Sequence, residues 1–192
     1  MKAWISNCRA PAVLGAVAGV VLLAGCSDKE SEQAGAKPSS ETLAALVSQA
    51  DDLSVVSATL EDAGLAQVFD GVAAYTLLAP RDAAFASEAG KTLRAADQRP
   101  AMVAVLRDHI VPGYLTPADI AKAIAADDDG KVAMKTMAGH TLTFASSDGT
   151  VTATGEDGAT VRFSAADALL ASNGVAIPVD GLAVDVSKAA GS

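Results

Sequence analysis

Apolar residues return at helical spacing soon after position 40. Leu43, Leu46, Val47 and Ala50 share one face, which predicts an amphipathic helix over about residues 41–50. Leu53, Val56 and Leu60 predict a second helix, stopped by Gly64, and Leu65, Val68 and Phe69 extend the helical region by another turn or two. The period then changes. Tyr75 to Ala79 is a short β-prone run closed by Pro80. A helix resumes near Pro100 with Met102, Val103, Leu106 and Ile110 toward the core, and Pro112-Gly113 should terminate it. Thr116-Pro117-Ala118-Asp119 is a further helix start, with a capping Thr, Pro at the first helical position and an acid beside free N–H groups. That helix should end at Asp127-Asp128-Asp129-Gly130.

From Lys131 the apolar positions alternate. Val132, Met134 and Thr136 are interleaved with Lys131, Ala133 and Lys135, and Leu142 and Phe144 with Thr141 and Thr143. Asp148-Gly149 and Asp157-Gly158 mark tight turns on either side of Val151 to Thr154, and Thr160 to Phe163 follows. The result is a meander with one apolar face. Val175 to Val179 and Leu182 to Val186 predict two last strands, reversed at Asp180-Gly181. Helices followed by strands predict an α+β fold.

The first residues have another character. Lys2 and Arg9 are the only charges before position 26, and Pro11 to Ala24 is almost wholly apolar. This is the pattern of a secretory signal, too short for a comfortable membrane span of about 20 apolar residues. It ends at Leu23-Ala24-Gly25-Cys26, which resembles the lipobox of bacterial lipoprotein precursors. The resemblance implies cleavage of residues 1–25, with Leu23, Ala24 and Gly25 read by the signal peptidase. Cys26 would then be lipidated with acyl chains such as palmitate. Ser27, where an Asp would retain the protein at the inner membrane, points by the same resemblance to the outer membrane, facing either the periplasm or the exterior. Residues 26–40 are polar and aperiodic and read as a tether, whose 14 residues after Cys26 would extend to about 45 Å. Residues 41–187 form the domain, and 188–192 a short tail.

Losing residues 1–25 removes Lys2 and Arg9 but no acid, so the formal charge moves from −9 to −11. Cys8 and Trp4 go as well. Cys26 is then the one cysteine left, which rules out an internal disulfide and a cysteine-based metal site. An acidic chain without a basic cluster argues against nucleic-acid partners.

Three segments carry a resemblance to the fasciclin (FAS1) domain. Thr76-Leu77-Leu78-Ala79-Pro80-Arg81-Asp82-Ala83-Ala84-Phe85 is similar to the first signature of that family. His109-Ile110-Val111-Pro112-Gly113 is similar to the central one, and Asn173-Gly174-Val175-Ala176-Ile177-Pro178-Val179-Asp180 to the last. The resemblance implies a wedge of mostly antiparallel strands flanked by helices, with the first and last signatures in central strands. Asp108 stands where the family has the tyrosine of a Tyr-His pair implicated in animal cell adhesion. Arg81 replaces a threonine. Pro178 removes a ladder donor, so its strand should be at an edge or bulged. Physically, Pro80 and Asp82 should form a turn that Phe85 anchors, and Asn173-Gly174 should use positive φ.

No catalytic constellation stands out. Asp108 and His109 are neighbours and point apart, His109 reads as a satisfied core residue, and His140 as an exposed hairpin residue. The acidic run at 127–129 lacks calcium-loop spacing, and no G-x-S-x-G or phosphate loop is present. The expectation is a non-enzyme without metal or cofactor. Its role would be adhesion or interaction with an envelope or extracellular protein or glycan, held to the membrane through the N-terminal lipid. The alternative is an envelope carrier of a small apolar ligand, a lipid or a pigment.

Overall fold

The computed structural model describes residues 37–147 and 149–186. Leu23, Ala24, Gly25, Cys26, most of the tether, Asp148 and the 188–192 tail lie outside the described residues. Among the described residues, six α-helices and eight strands follow one another: α1 (Leu43–Gln49), α2 (Ser54–Asp62), α3 (Ala66–Phe69), β1 (Tyr75–Pro80), α4 (Glu88–Leu93), α5 (Arg99–Asp108), β2 (Ile110–Pro112), α6 (Pro117–Ala126), β3 (Lys131–Lys135), β4 (Thr141–Ser147), β5 (Thr150–Gly155), β6 (Thr160–Phe163), β7 (Leu169–Leu170) and β8 (Gly174–Val179).

The strands form two four-stranded sheets. One has the order β2-β1-β8-β7 and the other is the meander β3-β4-β5-β6. Among the described residues, the β1–β8 pair is parallel and the other ladders are antiparallel. The fold is α+β, as the sequence pattern predicts. β1 and β8 are the two central strands, and both of their faces are covered. Leu77, Ala79 and Ala176 pack with α1, α2 and α5 on one side, while Leu78, Val175, Ile177 and Val179 meet α6 and the meander on the other. A strand buried on both faces reads as an unbroken apolar run rather than an alternation. Tyr75 to Ala79 and Val175 to Val179 show that pattern.

Helix ends follow local chemistry. Gly64 (φ +68°) closes α2 in a Schellman motif, with Leu65 N–H donating to Leu60 O at 2.9 Å and Gly64 N–H to Glu61 O at 3.0 Å. Thr116 and Asp119 cap α6 reciprocally.

Four expectations are corrected. The helix from Pro100 stops at Asp108, four residues early, and Ile110–Pro112 is the edge strand β2, paired with Tyr75–Leu77. Val111 precedes a proline and is biased toward extended backbone, and a sheet edge offers its carbonyls and N–H groups partners. Leu182–Val186 is not a strand, because β8, with which it should have formed a hairpin, already lies between β1 and β7; it passes over Gly155 of the meander as an irregular strap. Asp180-Gly181 is therefore no hairpin turn. Asn173-Gly174 needs no positive φ: a Cβ on Gly174 would lie 2.6 Å from Tyr75 O and 2.8 Å from Leu43 Cδ2, so glycine is required by close approach. Ahead of α1, Ser39 N–H donates to Leu170 O at 2.7 Å. Two short elements, α4 and β7, have no counterpart in the periodicity; α4 buries only Gly90 and Leu93. Pro178 lies opposite Ala79, beyond the end of β7, so β8 has a single strand neighbour at that position.

Candidate functional site

The family-signature residues do not converge on one site; several of them tie neighbouring elements together. Thr76, buried in β1, donates its hydroxyl to Gly113 O (2.8 Å) and accepts from Leu115 N–H (2.9 Å), which secures the turn after β2. Gly113 takes φ +110° there, and Pro112 is exposed. Ala79 and Phe85 are core residues, and Pro80 ends β1 in the sheet. Asn173 makes three bonds: its Oδ1 accepts from Leu43 N–H (2.8 Å), and its Nδ2 donates to Phe69 O (2.6 Å) and Gly71 O (2.8 Å). Asp180 Oδ1 accepts from Arg162 N–H at 2.8 Å, tying β8 to β6.

Asp82 does not close its own turn. It opens a short 3₁₀ turn, and its carboxylate reaches back to α2, accepting from Val55 N–H (2.9 Å) and the Ser54 hydroxyl (2.5 Å). The first residue before α2, Leu53, has no capping side chain, so Asp82 supplies the cap from a distance. Burial disfavours the charge, but the Ser54 hydroxyl, the Val55 and Ser54 N–H groups and nearby Arg94 outweigh it. The Asp82 carboxyl is held below its ordinary range. Arg81, beside it, pairs with Asp52 and, at 3.0 Å, with Asp167.

His109 caps α5 and is completely buried. Its Nδ1 contacts Val105 O (2.8 Å), and its Nε2 accepts from Ala183 N–H (2.9 Å). That pair of bonds assigns the neutral tautomer with the proton on Nδ1. Burial pulls its pKa below the usual histidine value, with the Val105 carbonyl and Asp108 opposing.

One surface cleft, of about 450 Å³, brings Asp108 and His140 together. It is walled by α5 (Ala104, Val105, Asp108), the β3–β4 hairpin (Thr136, His140, Leu142), the β5–β6 turn and the 183–185 strap. Asp108 does not act with its neighbour His109. Its Oδ1 instead meets His140 Nδ1 at 2.7 Å and accepts from the Thr136 hydroxyl at 3.2 Å. His140 remains an exposed hairpin residue, as expected, but it contacts Asp108 rather than standing alone. No local signal in the sequence joins positions 108 and 140; the sheet brings them together. Glu156 Oε1 accepts from Thr141 N–H at 2.8 Å. Thr141, with Lys135 and His140 assisting, holds the Glu156 carboxyl below its usual range. Asp157 accepts from Ala159 N–H and from Asp185 N–H, which fastens the strap. Gly155 is closely overlaid by the strap, since a Cβ there would lie 2.3 Å from Ala183 O.

A second cleft, about 400 Å³, runs between α2 and α5, with an exposed Arg99–Asp62 pair (2.8 Å) on its rim. Among the described residues, no group of three or more His, Cys, Asp or Glu is placed to hold a metal ion. No helix among them is long and apolar enough to cross a membrane.

Known proteins place this architecture. No curated protein matches the chain. Among solved structures, it resembles a FAS1 domain pair from the insect cell adhesion molecule fasciclin I. The TM-score is 0.64 at 15% identity, over 78% of this chain and 52% of the other. This chain thus spans about half the length of that structure. At that identity the likeness concerns the fold alone. The family model for the fasciclin domain matches residues 51–184, most of the chain and nearly all of the folded body, and indicates no enzyme family. The chain belongs to the fasciclin domain family.

Proposed function

We propose that this chain is a membrane-anchored, extracytoplasmic lipoprotein whose fasciclin domain acts as a non-catalytic adhesion or interaction module at the bacterial cell surface. The observation that carries this reading is the arrangement along the chain. A fasciclin domain over residues 51–184 follows a lipobox-like Leu23-Ala24-Gly25-Cys26 and a polar stretch suited to a tether. The solved relative is described as coming from a cell adhesion molecule, which lends support by analogy. The partner is a protein or glycan of the envelope or its surroundings.

The alternative reading, a carrier of a small apolar ligand, draws on the cleft beside His140. Val105, Leu142, Ala183 and Val184 give that cleft an apolar floor. Its lining also includes Asp108, Glu156, Asp157 and Asp185, and no Phe, Tyr or Trp. Those carboxylates oppose a wholly apolar cargo, and a pigment would find none of the large aromatic faces to stack on.

Deletion of the gene, with complementation by the anchored chain or by a Cys26→Ser chain, tests the module. Cell–cell or cell–surface attachment should fall on deletion and return only with the anchored form. Unchanged attachment in the deletion strain would remove the proposal's main support. Native mass spectrometry of the purified chain separates the alternative: an extra mass lost on denaturation would favour the carrier.

A further inference from the structure

Residues 182–186 belong to neither sheet, so they can lift without breaking a strand ladder. Two ties to the body run to side chains rather than to backbone carbonyls. Ala183 N–H donates to His109 Nε2 at 2.9 Å, and Asp185 N–H donates to the Asp157 carboxylate. The first of these exists in one protonation state of the ring. Nδ1–H donates to Val105 O at 2.8 Å, which leaves Nε2 as a bare acceptor. The other neutral tautomer does not fit, because a carbonyl cannot donate to Nδ1. The cation does not fit either, because a proton on Nε2 would set two N–H groups against each other at Ala183. The charged groups around this corner are Asp108 beside the ring on α5, His140 and Lys135 on the β3–β4 hairpin, Glu156 and Asp157 on the β5–β6 turn, and Asp185 on the strap. Burial opposes the cation more strongly than the Val105 carbonyl and Asp108 favour it, so the closed ring resists protonation. Ala183 both covers Nε2 and lines the cleft, so lifting it would let water reach the ring.

We propose that His109 is a proton-operated latch: the neutral imidazole holds the 182–186 strap against α5, and the imidazolium releases it, opening one wall of the cleft. Above about pH 6.5 the ring is neutral whether the strap is closed or lifted, and the latch is at full strength. Below that, the uncovered ring takes up a proton that the closed ring refuses. Each pH unit then favours release about tenfold, until the closed ring titrates as well. The Asp185 tie does not involve the imidazole, so opening begins at Ala183. Ala183 and Val184 both line the cleft, so a partner seated there would meet a different surface in acid. The latch goes beyond the interaction-module reading and does not depend on it.

Hydrogen–deuterium exchange on the full ¹³C,¹⁵N-labelled chain in non-ionic detergent micelles tests the latch, with each amide rate divided by its intrinsic rate at that pH. Ala183 should be less protected than Leu78, whose N–H donates to His109 O at 2.8 Å inside the sheet. Its protection should fall about tenfold per pH unit below about pH 6.5, until the His109 ring carbons report protonation. In His109→Gln the carboxamide can donate to Val105 O and accept from Ala183 N–H but does not titrate, so Ala183 protection should no longer follow pH. In His140→Gln, which removes the exposed histidine of the cleft, the fall should persist. A fall that survives His109→Gln, or that disappears in His140→Gln, would overturn the latch. So would equal protection of Ala183 and Leu78 at every pH, which would mean that the strap opens only when the domain unfolds. Should His109→Gln fail to fold, the wild-type chain decides. Ala183 protection that stays constant while the His109 ring protonates overturns the proposal, and a fall confined to the strap upholds it.

Discussion

At the residue scale, the side chains that matter most are polar groups committed to backbone partners. Asp82 caps α2 across 27 positions, so Asp82→Ala leaves Val55 N–H and the Ser54 hydroxyl without that acceptor. The expected cost is about 0.5–2 kcal/mol, read as a lowered Tm in thermal denaturation. Its folded pKa is depressed, so the stabilising effect is complete above the unfolded carboxyl pKa of about 3.9. It should be lost as pH falls through the folded value, and the gap between variant and wild type should close there. His109 also has a lowered folded pKa, with the charge arising on protonation. As pH falls below about 6.5, the unfolded chain binds a proton that the buried imidazole refuses. Its contribution is therefore complete above that pH and declines below it. His109→Gln should lower stability by about 1–3 kcal/mol near neutrality, because a buried partner is left unmatched. It should also flatten the fall of Tm between pH 7 and pH 5. A variant as steep as wild type over that range would assign the acid sensitivity to other groups.

At the element scale, the strap over residues 182–186 shows how one segment changes character by what it packs on. Its apolar residues suggest a strand, yet the place beside β8 that it would occupy is taken by β7 and by the end of the meander. It is instead held by His109 through Ala183 N–H and by Asp157 through Asp185 N–H. Gly155 makes room for it. Gly155→Ala would place a methyl group against the Ala183 carbonyl, and backbone cannot move aside as a side chain can. The expected loss is about 1–3 kcal/mol, with the amide resonances of residues 182–186 shifting more than those of β1 or β8. Uniform small shifts would mean that the strap is not fastened at that crossing.

At the scale of the whole molecule, the folded body is one α+β domain, and its setting in the cell is an expectation carried by the first 26 residues. Three acyl chains on one cysteine would hold it at a membrane, each buried CH₂ contributing about 0.8 kcal/mol. Cys26→Ser should move the chain from the membrane to the soluble fraction on cell fractionation. Full retention in the membrane fraction would show that lipidation is not the anchor. The tether would then matter for reach: extended to about 45 Å, it would let the domain stand clear of the lipid headgroups.

Local chemistry in the sequence determined the helix caps at Gly64 and Thr116, the alternation of the meander and the α+β class. Each depends on residues within a turn or two of one another. The motifs that resemble the fasciclin domain also marked β1 and β8 as central strands, which periodicity alone does not reveal. The tertiary structure decided what depends on distant partners. Ile110–Pro112 became a strand because β1 offered it an edge. Leu182–Val186 became a strap because β8, its neighbour along the chain, already lies between β1 and β7, and Asp82 became the cap of a helix far upstream. Asp108 and His140 became neighbours because α5 ends beside the β3–β4 hairpin. Sequence spacing records helical and strand periods, whereas a pairing across 32 positions is set only when the sheets and helices pack.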